Sequence, residues 1–281
     1  MPSARELRTR IRSVASTSMI TRAVGLVAAV KYRRAHAAMM ASQEYLNRLS
    51  SILEALTAGV LVEHPLLLAR EEKRRTILVF GSDRGLCGSF NREVLSAVHE
   101  ALGSMRGDSE IDLLPVGDRM ASLLRASGLA HTTVEHHLTS GSFLEAGSAA
   151  VDMLEDWFVS GLTDRIDVIS ARPGGMHSAG RIGLERIVPV GSGSEPAGAL
   201  DCIYEPSIPV LLDALVPACV RASLALTAAC SETAEQTARL TAMTAATKNA
   251  DDMLADLKLA SNKLRQAAIT RELTEVVAGT E

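Results

Sequence analysis

The chain has 281 residues, 47% hydrophobic and 22% charged, enough for one large or two smaller ordered domains and too long for a disulfide-stapled mini-protein. Aromatics make up only 3%, so Ala, Leu, Val and Met do the packing, a mix that favours helices over sheets. The formal net charge of -4 argues against a general nucleic-acid binder, but it hides a gradient: residues 1–60 carry nine basic and three acidic residues, residues 201–281 seven basic and eleven acidic.

The first sixty residues are defined by period. A walk of alternating four and three steps from Leu7 through Ile11 and Val14 to Leu49, Leu53, Leu56 and Val60 meets residues that are not apolar only at Ser18, Thr21, Gly25 and Ser42. That is a heptad seam held over about eight heptads. Pro2 and Ser3 suit a helix start, and no proline follows until Pro65. The spacing predicts one helix over 1–62, and about 55 residues at 1.5 Å each reach about 80 Å. An Arg-rich, acid-poor start is also the composition of an organelle transit peptide, but a cleaved peptide has no reason to stay in register with the residues after it. The longest uninterrupted apolar run, residues 23–30, falls far short of the roughly 20 residues that cross a bilayer, so no spanning segment is expected.

Residues 63–207 change character. Short apolar runs at 76–80, 112–116, 166–171 and 182–190 read as strands, with helices at 91–102, from 116 to about 126, and at 143–159. Strands alternating with helices predict an open α/β sheet of Rossmann-like type. Residues 191–198, rich in Gly and Ser, read as a loop. From 208 to 281 strand alternation is again missing, and the same walk gives Met243, Ala246, Ala250, Met253, Leu257, Ala260, Leu264 and Ala267. Small residues along such a seam let two helix axes approach closely, and Pro217 is expected to kink or delimit the helix. Two exposed seams need partners, and a basic first helix suits an acidic last one, so the ends are expected to pair as an antiparallel coiled coil.

Between the first strand and its helix lies Gly81-Ser82-Asp83-Arg84-Gly85-Leu86-Cys87-Gly88-Ser89-Phe90-Asn91. A glycine-rich turn there can cradle phosphate on a helix N-terminus, but neither the dinucleotide fingerprint nor the P-loop pattern fits these glycines. A tight structural turn, with Gly85, Cys87 and Gly88 supplying positive φ and a buried thiol, fits better. Cys87, Cys202, Cys219 and Cys230 lack metal or disulfide spacing and read as reduced, buried residues. His131, His136 and His137 lack the acids or cysteines that would complete a metal site.

The segments Leu7-Arg8-Thr9-Arg10-Ile11-Arg12-Ser13-Val14, Ile20-Thr21-Arg22-Ala23 and Val27-Ala28-Ala29-Val30-Lys31-Tyr32-Arg33-Arg34-Ala35 closely resemble the opening helix of the gamma subunit of F-type ATP synthases. So does the most specific internal motif, Ser82-Asp83-Arg84-Gly85-Leu86-Cys87-Gly88. Tyr204-Glu205-Pro206, Glu235 with Arg239, Ala246-Thr247 with Asn249-Ala250, and 262–273 from Asn262 to Leu273 resemble its last helix. The resemblance implies a central rotor shaft that carries torque between ion flow through a membrane ring and ATP synthesis or hydrolysis in an alpha/beta head. It further implies no active site, cofactor or metal on this chain, one copy per complex, alpha, beta, epsilon and c-ring partners, no nucleic acid, and a peripheral place on the cytoplasmic face of a bacterial plasma membrane.

Carried over by motif, Arg265, Gln266 and Thr270 fall where the family shaft meets the beta-subunit catch loops, Lys31, Arg33 and Arg34 on a basic shaft face, and Tyr204 and Glu235 toward the foot near ring and epsilon. Polar and cationic groups suit transient contacts on a turning surface. The sequence departs from the family at Val24-Gly25-Leu26, where methionines are common, at Lys248, where an acid is usual, and at Pro217. A gamma-like chain of a divergent second rotary ATPase, a coiled-coil scaffold and a Rossmann-type nucleotide-binding enzyme with helical arms are the other readings.

Overall fold

The structure is a computed structural model and describes residues 4–57, 64–105, 109–129, 132–133, 143–174, 180–191 and 204–278. In chain order these form α1 (Ala4–Thr57), a 3₁₀ turn (Pro65–Leu67), β1 (Arg74–Phe80), α2 (Phe90–Ser104), β2 (Glu110–Val116), α3 (Asp118–Ser127), β3 (Thr132–Thr133), α4 (Phe143–Val159), β4 (Arg165–Arg172), β5 (Arg181–Val188) and α5 (Ile208–Ala278). They fall into two compact units, residues 30–238 and residues 1–29 with 239–281; α1 and α5 contribute to both.

The 30–238 unit is built on a five-stranded mixed sheet of order β3-β2-β1-β4-β5. β1 pairs in parallel with β2 and β4, β2 in parallel with β3, and β5 runs antiparallel to β4. The antiparallel edge follows from chain length: residues 173–180 are too few for the crossover that a parallel neighbour needs. Alternation assigns Leu78, Phe80, Leu114, Val116, Ile166 and Val168 to one face, packed with Leu154 and Phe158 of α4, Leu53 and Leu56 of α1, and Leu212, Val216 and Leu224 of α5. Ile77, Val79, Leu113 and Ile169 take the other face, against Phe90, Val94 and Val98 of α2 and Met120 and Leu124 of α3. Both faces are covered, which is why these strands read as unbroken apolar runs. Each such side chain contributes about 1.5–3 kcal/mol by leaving water. Helix α3 stops at Gly128, whose left-handed φ of 60° closes the last turn.

Pro217 does not delimit α5: the helix runs through it. The carbonyl that a proline at this position releases belongs to Asp213, an exposed residue that water can satisfy. The loop expected at 191–198 lies outside the described residues, apart from Gly191.

In the smaller unit the two helices run antiparallel. Ser18 meets Asp251, Thr21 meets Thr247 and Gly25 faces Met243, so numbers fall on α5 as they rise on α1. Every residue of the first seam from Leu7 to Leu56 is buried or half-buried. The second seam departs from the expected one at two positions. Met243, Ala246, Ala250, Leu257, Ala260 and Leu264 are buried or half-buried as expected, but Met253 is 46% exposed and Ala267 is exposed, while Leu254 turns in. Thr247, half-buried against Thr21, also belongs to the seam, and a walk over apolar residues passes over it.

Candidate functional site

The turn after β1 is held by a buried polar cluster. The Ser82 main-chain N–H donates to Asn91 Oδ1 (3.0 Å), and Asn91 Nδ2 donates to Ser82 Oγ (2.6 Å) and Cys87 Sγ (3.5 Å). Ser82 Oγ in turn donates to the Arg84 carbonyl at 2.7 Å. Ser82, Cys87 and Asn91 are all buried. The left-handed positions are Leu86 (φ 67°) and Gly88 (φ 62°), not Gly85. A non-glycine residue there costs about 1–2 kcal/mol, which the surrounding hydrogen bonds offset. The Leu86 side chain is 63% exposed and so meets no obstacle.

β1 lies between β2 and β4, so its carboxyl end is a topological switch point, where open α/β sheets bind ligands. Here three main-chain donors near the strand ends are engaged by the protein's own groups. Gly81 N–H donates to the Val116 carbonyl, Ser82 N–H to Asn91, and Ala171 N–H to the buried Ser231 hydroxyl of α5 at 3.0 Å. Among the described residues no group of three or more His, Cys, Asp or Glu could hold a metal ion; His131, His136 and His137 lie outside the described residues. Cys87, Cys219 and Cys230 are buried free thiols. Burial pushes the thiols of Cys219 and Cys230 up, which keeps them protonated and poorly nucleophilic.

Asp83 joins the turn to α3 and α1. Its Oδ1 accepts the Asp118 N–H at 3.3 Å. Burial pushes its carboxyl above the ordinary carboxylate range; the Asp118 N–H bond opposes this, the Asp118 carboxylate adds to it, and the cations Arg84 and Lys31 draw it back. Lys31 therefore faces this turn, while Arg33 and Arg34 are exposed on α1. On α5, Arg265, Gln266 and Thr270 are exposed, with the Thr270 hydroxyl donating to the Gln266 carbonyl at 2.9 Å. Tyr204 and Glu235 are interior by comparison. Tyr204 packs on the cluster around Leu53 and Leu56 and donates to the Ala55 carbonyl at 3.4 Å; Glu235 is 6% exposed and accepts from Gln236 Nε2 at 3.3 Å.

Two features escaped the sequence reading. One is an exposed apolar stripe on α1: Met19, Ile20, Leu26 and Val27, each more than half exposed. The eight-residue apolar run at 23–30 was its signal, since a run longer than two turns is apolar on every face. For the same reason α1 and α5 each contain an 18-residue window apolar enough to cross a membrane, of mean hydropathy 1.4 and 1.7, which a count of uninterrupted runs overlooks. The second is the polar contact set around Asp251: Ser18 Oγ donates to its Oδ1 at 2.6 Å and Arg22 Nη2 to its Oδ2 at 3.0 Å.

The ATP synthase family model matches residues 3–281. The chain is 33% identical over 288 residues to an ATP synthase gamma chain of a Geobacter species, covering all of this chain and 99% of that one. It is 33% identical over 285 residues to the gamma chain of Pelotomaculum thermopropionicum, covering 99% and 98%. Its fold matches a chain of the Euglena gracilis mitochondrial ATP synthase rotor with a TM-score of 0.66 at 14% identity, over 95% of this chain and 98% of that one. A second match, in the OSCP/F1/c-ring assembly of the same enzyme, has a TM-score of 0.68 at 14% identity, over 99% and 93%. With the whole length matched and identity above 30% to curated relatives, the chain belongs to the ATP synthase gamma chain family.

Proposed function

We propose that this chain is the turning central stalk of a rotary ATP synthase, one copy per complex. In this reading α1 and α5 form an antiparallel coiled-coil shaft from segments 1–62 and 208–281, and segment 63–207 is a Rossmann-like α/β domain beside the epsilon subunit and the membrane ring. Ion flow turns the ring, the shaft presses successively on the beta subunits of the head, and nucleotide affinity changes there and not on this chain. A gamma chain is in general a non-catalytic subunit. The observation that carries the proposal is the antiparallel meeting of the two terminal helices, given by Ser18 with Asp251 and Thr21 with Thr247. A chain that joins its two ends through a folded segment is built to hold one axis.

Arg265, Gln266 and Thr270 are the proposed contacts to the beta catch loops, with Lys31, Arg33 and Arg34 on a basic face. Tyr204 and Glu235 lie toward the foot, acting through the packing they anchor. The apolar stripe of Met19, Ile20, Leu26 and Val27 faces the enclosing subunits and not lipid, which leaves the chain peripheral on the cytoplasmic face of the membrane.

Co-purification with alpha, beta and epsilon subunits, followed by single-complex rotation, tests the proposal: the chain is expected to enter the complex and turn with it. ATPase activity of the isolated chain would overturn it. Truncation from Asn262 onward is expected to weaken torque while the α/β domain stays folded, and unchanged torque would remove the catch-loop assignment.

A further inference from the structure

In the smaller unit, α1 and α5 meet through a seam whose apolar part is undemanding. Around Ser18 and Thr21, Gly25, Ala28 and Ala250 are small and Met243 and Leu254 supply the bulk, while Leu7, Ile11, Val14, Leu257 and Leu264 pack further toward the helix ends. Around these small positions, heptads seven residues apart present similar surfaces, so local apolar packing discriminates only weakly between neighbouring registers. Polar seam residues do not repeat in this way. Ser18 is 5% exposed and donates to Asp251 Oδ1 at 2.6 Å; Arg22 holds Asp251 Oδ2 at 3.0 Å. One turn along, the Thr247 hydroxyl donates to that of Thr21 at 2.8 Å, and Thr21 donates to the Ser18 carbonyl at 3.0 Å.

Sliding α5 by one heptad in one direction sets Ser18 and Arg22 against Lys258 in place of Asp251, and Thr21 against Leu254 in place of Thr247. Two cations then meet, and the Thr21 hydroxyl faces a hydrocarbon. Sliding the other way sets Ser18 against Thr244 and Thr21 against Leu240, so a neutral hydroxyl replaces the carboxylate and Thr21 again faces a hydrocarbon. A hydrogen bond to a carboxylate is roughly twice as strong as one to a neutral group, and both slipped registers lose it.

We propose that Asp251, through Ser18, is the register determinant of the helix pair. The inference rests on the shaft reading, because a shaft under torque fails if its helices slide. The Arg22 partner is secondary: the two side chains are 64% and 45% exposed, and solvent screens such a pair. The charge-assisted bond is made in the observed register and lost in its neighbours, so it separates them in energy.

The test uses the chain assembled with its partner subunits and two cysteine pairs read by oxidation and mass spectrometry. A Cβ at position 25 lies 3.6 Å from that of Met243, within disulfide range, so Gly25→Cys with Met243→Cys reports the observed register. Gly25→Cys with Ala250→Cys reports a slip of one heptad. The first pair is expected to close and the second not. In Asp251→Ala the ratio of native to slipped cross-link falls about tenfold, as expected for loss of a charge-assisted hydrogen bond, with a small fall in the thermal midpoint of the complex. Ser18→Ala gives the same shift and serves if the first variant assembles poorly. Asp251→Asn, which keeps a neutral carbonyl acceptor for Ser18, gives a ratio between those of the wild type and Asp251→Ala. An unchanged ratio in both alanine variants overturns the proposal, and so does an Asp251→Asn ratio as low as that of Asp251→Ala. A wild-type chain that does not assemble or turn breaks the shaft reading instead; an assembled, rotating complex whose ratio ignores Asp251 breaks only the register assignment.

Discussion

The sheet unit and the helix pair bury different chemistry. In the sheet unit, Phe80, Phe158, Ile77 and Leu78 have no exposed surface, and the apolar residues of β1, β2 and β4 are covered on both faces. In the pair, the buried positions include Leu7, Ser18, Ala28, Met243 and Ala250, and most of the remaining seam is only half-buried. A helix with one neighbour can bury only one stripe. The difference teaches that the sheet unit is held by its own hydrocarbon, while the pair relies on register-setting polar contacts and, in the proposed complex, on what encloses it.

Core truncation tests this contrast with the largest effect. Phe80→Ala should destabilise the sheet unit by about 3–5 kcal/mol, whereas Met243→Ala should cost about 1–2 kcal/mol because an open seam collapses around the gap more readily. Denaturant midpoints followed by a probe in each unit read both values. Equal losses would remove the distinction.

A sharper break targets backbone and not volume. Gly117 has φ 107°, and a Cβ there would lie 2.6 Å from the Gly81 carbonyl oxygen, where the β2–α3 turn crosses the end of β1. Gly117→Ala should therefore cost about 1–3 kcal/mol. The thermal midpoint of the sheet unit should fall while the register of the helix pair, read by cross-linking, stays put.

How much of this was legible in the sequence follows the same division. The strands at Ile77–Phe80 and Ile166–Ala171 were readable because a strand covered on both faces leaves an unbroken apolar run, and α4 was read to its observed ends. Gly117 was not singled out, since its strain depends on a carbonyl supplied by a strand 36 positions earlier. At the turn, the sequence pointed to Gly85 and Gly88; Gly88 is left-handed as expected, but its companion is Leu86 and not Gly85, beside hydrogen bonds among Ser82, Cys87 and Asn91 that no local pattern records. In the pair, period revealed both seams, yet it passed over Thr247, the polar seam residue that meets Thr21. The clasp on Asp251 joins residues 233 positions apart, beyond any spacing rule.

A smaller effect is titratable. His64 is buried; its Nδ1 accepts the Leu66 N–H at 3.2 Å, and its Nε2 lies 3.8 Å from Asp213. Burial lowers its pKa below the ordinary 6.5, with Asp213 opposing. The unfolded chain therefore takes up the proton first as pH falls, so the stability of the sheet unit is full above 6.5 and declines below it. Denaturant midpoints between about pH 5 and pH 8 should show this slope. His64→Asn keeps a capping acceptor for Leu66 and should flatten it; an identical slope in the variant would assign the titration elsewhere.

The smallest change has the opposite sign and bears on the pair alone. Gly25 sits inside α1, where glycine is about 0.5–1 kcal/mol worse than alanine because it leaves the unfolded chain more freedom. A Cβ there meets Met243 Cβ at 3.6 Å, an ordinary contact, so nothing must move to admit a methyl group. Gly25→Ala should therefore stabilise the helix pair by about 0.5–1 kcal/mol, read as raised hydrogen-exchange protection around residues 18–28, and leave the sheet unit unchanged. The methyl group also fills part of the groove between Leu26, Ala29, Leu240 and Met243, a cavity of about 430 Å³. If the glycine only slims the shaft, rotation in the complex should be unaffected by the added methyl. If an enclosing subunit places a side chain in that groove, the stabilised chain should turn with lower torque, and the departure at Gly25 would then be a fitted contact and not a tolerated loss.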